Sequence, residues 1–204
     1  LVSDCCQPLK VDDGPDGLRI EPTVLYCTNR DVNKENTDQL NELPAELQEY
    51  RAQDSVHVSM EVPQSGHTAA ERRLEGDKFF SSECQAHRDV ELKIGAQVMC
   101  VKNLALDSEC ASRGAMRYPI VNGSRGVIVR YEPNPDRAYS GWPAEHEWPV
   151  VRFKSEKHDV EFEYRIEPEA FERDVYRCGS CCRMQLPLRL AWALTIHKAQ
   201  GATL

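Results

Sequence analysis

The sequence predicts an α/β sheet domain interrupted by a small β-barrel, and three stretches carry that expectation. Thr23–Cys27 is a short β-branched and aromatic run followed directly by a capped helical pattern, a strand–loop–helix unit. Residues 92–167 break into short strands with turns every 8–12 residues or so, the pattern of a small barrel. Residues 185–204 then return to a buried strand, where Leu188, Leu190, Trp192 and Leu194 alternate with Ala191 and Ala193. With both faces apolar, that run predicts a central strand of a parallel sheet. It ends in a loop holding Thr195, His197, Lys198, Gln200 and Gly201. In open α/β sheets ligands bind just past the carboxyl ends of strands, and these groups are suitable donors for phosphate oxygens.

Taken in order, residues 1–20 are irregular around the turn-rich Asp12–Gly17. After the strand at Thr23, Thr28 can cap a helix, with Asp31 three residues on as its partner. Val32, Asn36, Leu40 and Leu43 form the buried stripe; Pro44 ends or restarts the helix, and Leu47 and Tyr50 extend the stripe. Residues 51–91 are polar and poorly periodic, with a turn at Gln64–His67 and a short helix around Ala69–Leu74. In Lys93–Val101, Ile94, Ala96, Val98 and Cys100 share one face. Asn122-Gly123 marks a tight turn that tolerates positive φ, and a strand follows over 126–131. Residues 132–149, rich in Pro and Gly and containing Trp142 and Trp148, read as a surface loop. Val150–Phe153 pairs with Val160–Ile166 across a polar turn, and the second strand alternates apolar and charged residues, one face buried and one wet.

The 204 residues carry a formal net charge of −8, which argues against a general polyanion binder. The charge is uneven. No Asp or Glu falls within 175–204, which holds Arg177, Arg183, Arg189 and Lys198, or within 111–130, which holds Arg113, Arg117, Arg125 and Arg130. Such islands act locally at physiological salt. No apolar run approaches the roughly 20 residues that span a bilayer. The nine cysteines show no disulfide framework, and reduced thiols are expected. Cys178-Gly-Ser-Cys181-Cys182 supplies at most half of a tetrahedral zinc site, so no metal is assigned. The sequence begins at Leu1 and stops just past its most distinctive loop, and it reads as part of a longer chain.

Four ordered segments carry a resemblance: EPTVLYCTNRDVNKEN (21–36), LKIGAQVMCVKNL (92–104), VNGSRGVIV (121–129) and PLRLAWALTIHKAQGATL (187–204). Together they resemble the petite-integration-frequency DNA helicases, RecD-like members of superfamily 1B. The resemblance implies part of a second RecA-like motor domain of the P-loop NTPase class over residues 1–52 and 185–204. An SH3-like β-barrel would be inserted over 53–184. It also implies ATP-driven 5′-to-3′ translocation on single-stranded DNA. Unwinding of duplex and quadruplex junctions in repair, recombination and telomere maintenance would follow, by a monomer in nucleus or mitochondrion. ATP and Mg²⁺ would be held mainly by a first motor domain, since this sequence lacks a G-x-x-x-x-G-K-[ST] loop. By itself the chain should be inactive.

On that resemblance Arg30 is the candidate positive group for the γ-phosphate, although a surface pair with Asp31 explains it equally. Thr195, His197 and Lys198 are candidates for gripping single-stranded DNA, and Gln200 and Gly201 for facing the nucleotide. Asn122 and Arg125 could contact DNA or form a plain turn. Trp192 is expected in the core, and Asn36 is expected to make a structural hydrogen bond. The alternatives are a truncated, non-catalytic module that binds nucleic acid or protein, and a zinc-dependent module built on the cysteine cluster.

Overall fold

The computed structural model describes residues 20–104, 119–133, 142, 146–155 and 160–196, and the statements below concern those residues. Strand β1 (Val24–Tyr26) leads into helix α1 (Asn29–Glu42). Thr28 caps the helix: its Oγ1 accepts from the Asp31 amide at 3.2 Å and donates to Asp31 Oδ2 at 2.7 Å. Val32, Asn36 and Leu40 form its buried stripe. The helix stops before Pro44, which forces the preceding Leu43 out of helical geometry (ψ 129°).

From here the chain departs from the expected continuation of α1. Tyr50 is buried, but on strand β2 (Gln48–Arg51), which pairs antiparallel with β4 (Asp89–Leu92). Its ring packs against Trp142, His146 and Trp148 and its hydroxyl donates to Glu147 O at 2.6 Å, so the apparent helical spacing of Leu47 and Tyr50 is coincidental. The unplaced polar region contains β3 (Gln53–Val58), α2 (His67–Glu75) and one π-helical turn (Phe79–Glu83). Strand β5 (Gln97–Cys100) is buried at all four positions, whereas Ile94 is exposed in the turn before it. The predicted shared face therefore begins only at Ala96.

The Asn122-Gly123 turn has Gly123 at φ 99°, and β6 (Arg125–Pro133) follows. Gly126 is needed where β6 meets β7 (Glu147–Ser155), since a Cβ there would lie 2.4 Å from the Arg152 carbonyl oxygen. β7 pairs with β8 (Val160–Arg165) in the expected hairpin, from Val150↔Arg165 to Ser155↔Val160. Strand β9 (Glu169–Val175) turns into β10 (Gly179–Gln185). The reading of 132–149 as a surface loop is corrected at both ends. Trp148 is fully buried, and its ring packs at 6.1 Å from Tyr50 and 5.6 Å from Trp142, which is also buried. A core of this size draws in the large aromatic rings whatever the Pro and Gly content around them.

The expected central strand over 188–195 is two strands. β11 (Leu188–Leu190) runs antiparallel to β5 in a five-stranded sheet of order β11-β5-β6-β7-β8. β12 (Ala193–Thr195) runs parallel to β1. A fourth sheet, β3-β10-β9, packs against α2. The switch at Ala191–Trp192 frees backbone groups that buried side chains recover. Gln97 Nε2 donates to Ala191 O at 3.0 Å and Glu21 O at 2.9 Å, while its Oε1 accepts from Glu21 N at 2.7 Å. Asn36 Nδ2 donates to Ala193 O at 3.0 Å, and its Oδ1 accepts from Ala193 N at 3.0 Å. Trp192 is in the core, as expected. Alternating apolar residues alone cannot distinguish one strand from two that share a line, so the break is invisible to periodicity.

Gln97 ties the five-stranded sheet, and Asn36 ties α1, to the segment 191–193, so removing either amide should destabilise the junction. Asn36→Leu leaves the Ala193 N–H and C=O without that partner, and a loss of about 2–4 kcal/mol is expected in urea unfolding. Gln97→Leu should cost about 1–3 kcal/mol, because Thr23 Oγ1 still donates to Ala191 O at 2.9 Å. Unchanged stability in both variants would contradict the assigned role.

Candidate functional site

Because β1 and β12 are parallel and Tyr26 lies opposite Thr195, the loops that follow them leave from one edge. The first loop opens α1, and Arg30 is its second helical residue, exposed and one position from the Asp31 side chain that closes the cap. The second begins at Thr195, which is buried at 7 % exposure, and continues through exposed Ile196. His197, Lys198, Gln200 and Gly201 lie outside the described residues. The Asn36–Ala193 pair of hydrogen bonds ties α1 to β12, so the two loop origins are fixed to each other. Asn36 thus makes the expected structural hydrogen bond.

Arg125 and Asn122 part company. The Asn122 residue is exposed, and its backbone amide donates to Asn103 Oδ1 at 2.8 Å. Arg125 is half-buried, and its Nη1 donates to Thr23 Oγ1 at 2.9 Å. Since that same hydroxyl donates to Ala191 O, Arg125 reaches the base of the parallel pair. The structure therefore brings Arg125, and not Asn122, to the strand junction.

The basic island over 175–204 is not one surface among the described residues. Arg183 is 3 % exposed. Its Nε and Nη2 donate to Asp54 Oδ1 and Oδ2 at 2.7 and 2.8 Å, and Nη1 and Nη2 reach the carbonyls of Ala86 and Phe80 at 3.1 and 3.0 Å. The Asp54 carboxylate holds its pKa above the ordinary arginine value. Arg177, at the β9–β10 turn, lies 5.0 Å from the Tyr176 ring centroid. Arg130 on the other island pairs with Glu132 and Glu163. Arginines that stand near one another in sequence point to different partners once strand alternation is imposed. Sequence reading missed the Arg183–Asp54 pair. Its one signal is the alternation in β10, where Cys181, Arg183 and Gln185 share the buried face.

A cleft of about 720 Å³ runs beside this region, between α1, residues 80–91 and the β11–β12 segment. Thr195 lines it at one end. The cysteine cluster lies elsewhere, in the β9–β10 hairpin: Cys178 and Cys181 are buried, and their thiols face the Ala70 and Leu74 carbonyls of α2 at 3.6 and 3.5 Å. Burial pushes the Cys181 thiol pKa up. No described helix is long and apolar enough to cross a membrane.

No family model matches the chain. It is 34 % identical over 192 residues to the ATP-dependent DNA helicase PIF1 of Homo sapiens, an alignment covering 94 % of this chain and 23 % of that protein. It is 32 % identical over 179 residues to the helicase of the same name from Xenopus laevis, covering 87 % of this chain and 22 % of that protein. The chain thus spans under a quarter of the length of each of these two relatives. The crystal structure of Pif1 helicase from Candida albicans superposes with a TM-score of 0.63 at 26 % identity, covering 92 % of this chain and 37 % of that one.

The thiol environments give a direct check. In the native protein a thiol reagent near neutral pH should label exposed Cys27 and leave Cys178 and Cys181 untouched until denaturant is added. Labelling of Cys178 at the rate of Cys27 would show that the hairpin does not pack on α2.

Proposed function

We propose that this chain, which is related to one segment of the PIF1-family DNA helicases, works as the DNA-gripping half of an ATP-driven motor. In this reading β1, α1 and β12 belong to the second RecA-like motor domain. The five-stranded sheet, with the turn at Asn122-Gly123, belongs to an inserted SH3-like barrel. The whole protein would translocate 5′ to 3′ on single-stranded DNA and unwind duplex and quadruplex junctions during repair, recombination and telomere maintenance, in nucleus or mitochondrion and as a monomer.

One observation supports the reading: parallel pairing of Tyr26 with Thr195 sends the turn that leads to Arg30 and the chain that leaves β12 through Ile196 out of the same sheet edge. In open α/β sheets that edge is where nucleotides and their phosphates bind. Two loops tied through one helix can report ligand state to each other, which a motor needs in order to alternate its hold on DNA. Thr195, His197 and Lys198 then contact the phosphate backbone, with Asn122 and Arg125 as further contacts from the barrel turn. Gln200 and Gly201 face the nucleotide.

ATP supplies the phosphoanhydride whose hydrolysis drives movement, and its Mg²⁺ is assigned to ligands outside this chain. What this chain offers is a positive charge. Arg30 is an exposed residue in the first turn of α1, a turn whose start is capped by Thr28 and Asp31, and its guanidinium suits the developing charge on a γ-phosphate. Groups in that role accelerate turnover roughly 10³- to 10⁵-fold in other NTPases.

In the full-length protein, Arg30→Ala should lower DNA-stimulated ATP turnover by at least about 10³-fold while leaving nucleotide affinity within a few-fold. Normal turnover would remove Arg30 from the site. Loss of nucleotide binding together with turnover would recast it as a binding residue.

A further inference from the structure

Arg183 on β10 and Arg189 on β11 stand on strands that are consecutive in the chain but belong to different sheets, and they are unequally paired. Arg183 has a bidentate carboxylate and two carbonyls. Arg189 Nη2 donates to the Gln85 carbonyl at 2.6 Å, and its Nε is buried with no hydrogen-bond partner. A guanidinium has five N–H donors in a fixed fork that matches carboxylate or phosphate oxygens. Burial lowers the Arg189 pKa, and the one opposing influence on it is the Cys84 thiol. This is an arginine held ready without an anion.

Its surroundings show where an anion would come from. Arg189 lines the cleft together with Asn29, Asn33 and Thr37 of α1 and the hydroxyl residues Ser81 and Ser82. The same cleft reaches Thr195, the start of the loop assigned to DNA. Asp89 and Glu91 also line it, together with Arg88, so an entering polyanion depends on Arg189 and Arg88 for its counter-charge.

We infer that this cleft is a second phosphate site for single-stranded nucleic acid, in which Arg189 anchors one backbone phosphodiester upstream of the Thr195 loop. The inference rests on the DNA-binding reading above and extends it to a wall that the helicase-like loops do not form. On binding, the phosphate oxygens take the Nε–H and one terminal N–H of Arg189, which shifts off the Gln85 carbonyl. The polar side chains of α1 and the serines then hydrogen-bond neighbouring phosphates or sugars. Such contacts set position and affinity, not base sequence.

Fluorescence anisotropy with a labelled oligothymidylate, measured across a salt series, tests the site in the longest natural chain containing this sequence. Arg189→Gln should weaken binding about tenfold, and the slope of log K against log salt should become shallower by about 0.7, the value for one single-strand phosphate contact. Arg189→Lys should fall between the two, because it keeps charge but loses the fork. Asn33→Glu, at an exposed helical position across the cleft, places a negative charge there without disturbing a buried group and should weaken binding independently. Unfolding midpoints of all three variants are measured alongside.

Wild-type affinity and slope in Arg189→Gln, with wild-type protein binding well, overturn this site and leave the motor reading standing. Absence of oligothymidylate binding by the wild-type protein overturns both. Inorganic phosphate is titrated in parallel: an Arg189-dependent response to phosphate with unaltered oligothymidylate affinity assigns the site to free phosphate and rejects a nucleic-acid path.

Discussion

The structure depends on recovering the backbone hydrogen bonds released where the chain changes sheets at Ala191–Trp192. Leaving such groups buried and unpaired costs about 1–3 kcal/mol each. Gln97 and Asn36 meet that cost from opposite sides, one from the five-stranded sheet and one from α1. The backbone adds its own crossing bonds, Ala191 N to Gln97 O and Val24 N to Trp192 O, at 2.9 and 2.8 Å. Thr23 and Arg125 extend the stitching into the turn that begins β6. Two sheets with different strand senses are thereby joined through a handful of short side chains.

This arrangement has a mechanical consequence. The proposed ligand loops leave from β1 and β12, a pair of three-residue strands too short to be rigid alone. Their stiffness comes from α1 through Asn36 and from the antiparallel sheet through Gln97. A force applied at the Thr195 loop is therefore shared with the sheet carrying the Asn122-Gly123 turn. That is a physical route by which the start of the Thr195 loop and the placement of that turn can change together, and the Arg189 cleft lies along the same β11–β12 segment.

Much of the fold was legible wherever local chemistry decides it. The Thr28 cap, the Val32–Leu40 stripe, the positive φ at Gly123 and the alternation in β8 all require only neighbours within a few residues, and each was placed from its sequence pattern. What stayed hidden is long-range. Asp54 and Arg183 are separated by 129 residues, and Gln97 meets Ala191 across 94. Tyr50, Trp142 and Trp148 form one aromatic cluster from segments that read as a helix and a surface loop. The site divides the same way. Arg30 could be placed at a helix start, whereas the inward reach of Arg125 toward Thr23 depends on a contact across 102 residues.

If α1 ties the two loops of the β1–β12 pair together, their shared edge should respond to both proposed ligands. Hydrogen-exchange mass spectrometry on the full-length protein measures this directly, with single-stranded DNA, with a non-hydrolysable nucleotide, and with both. Either ligand should slow exchange in both the 24–31 and the 193–196 segments, and together they should slow it further. Protection by DNA confined to one segment, with the other following nucleotide alone, would contradict it.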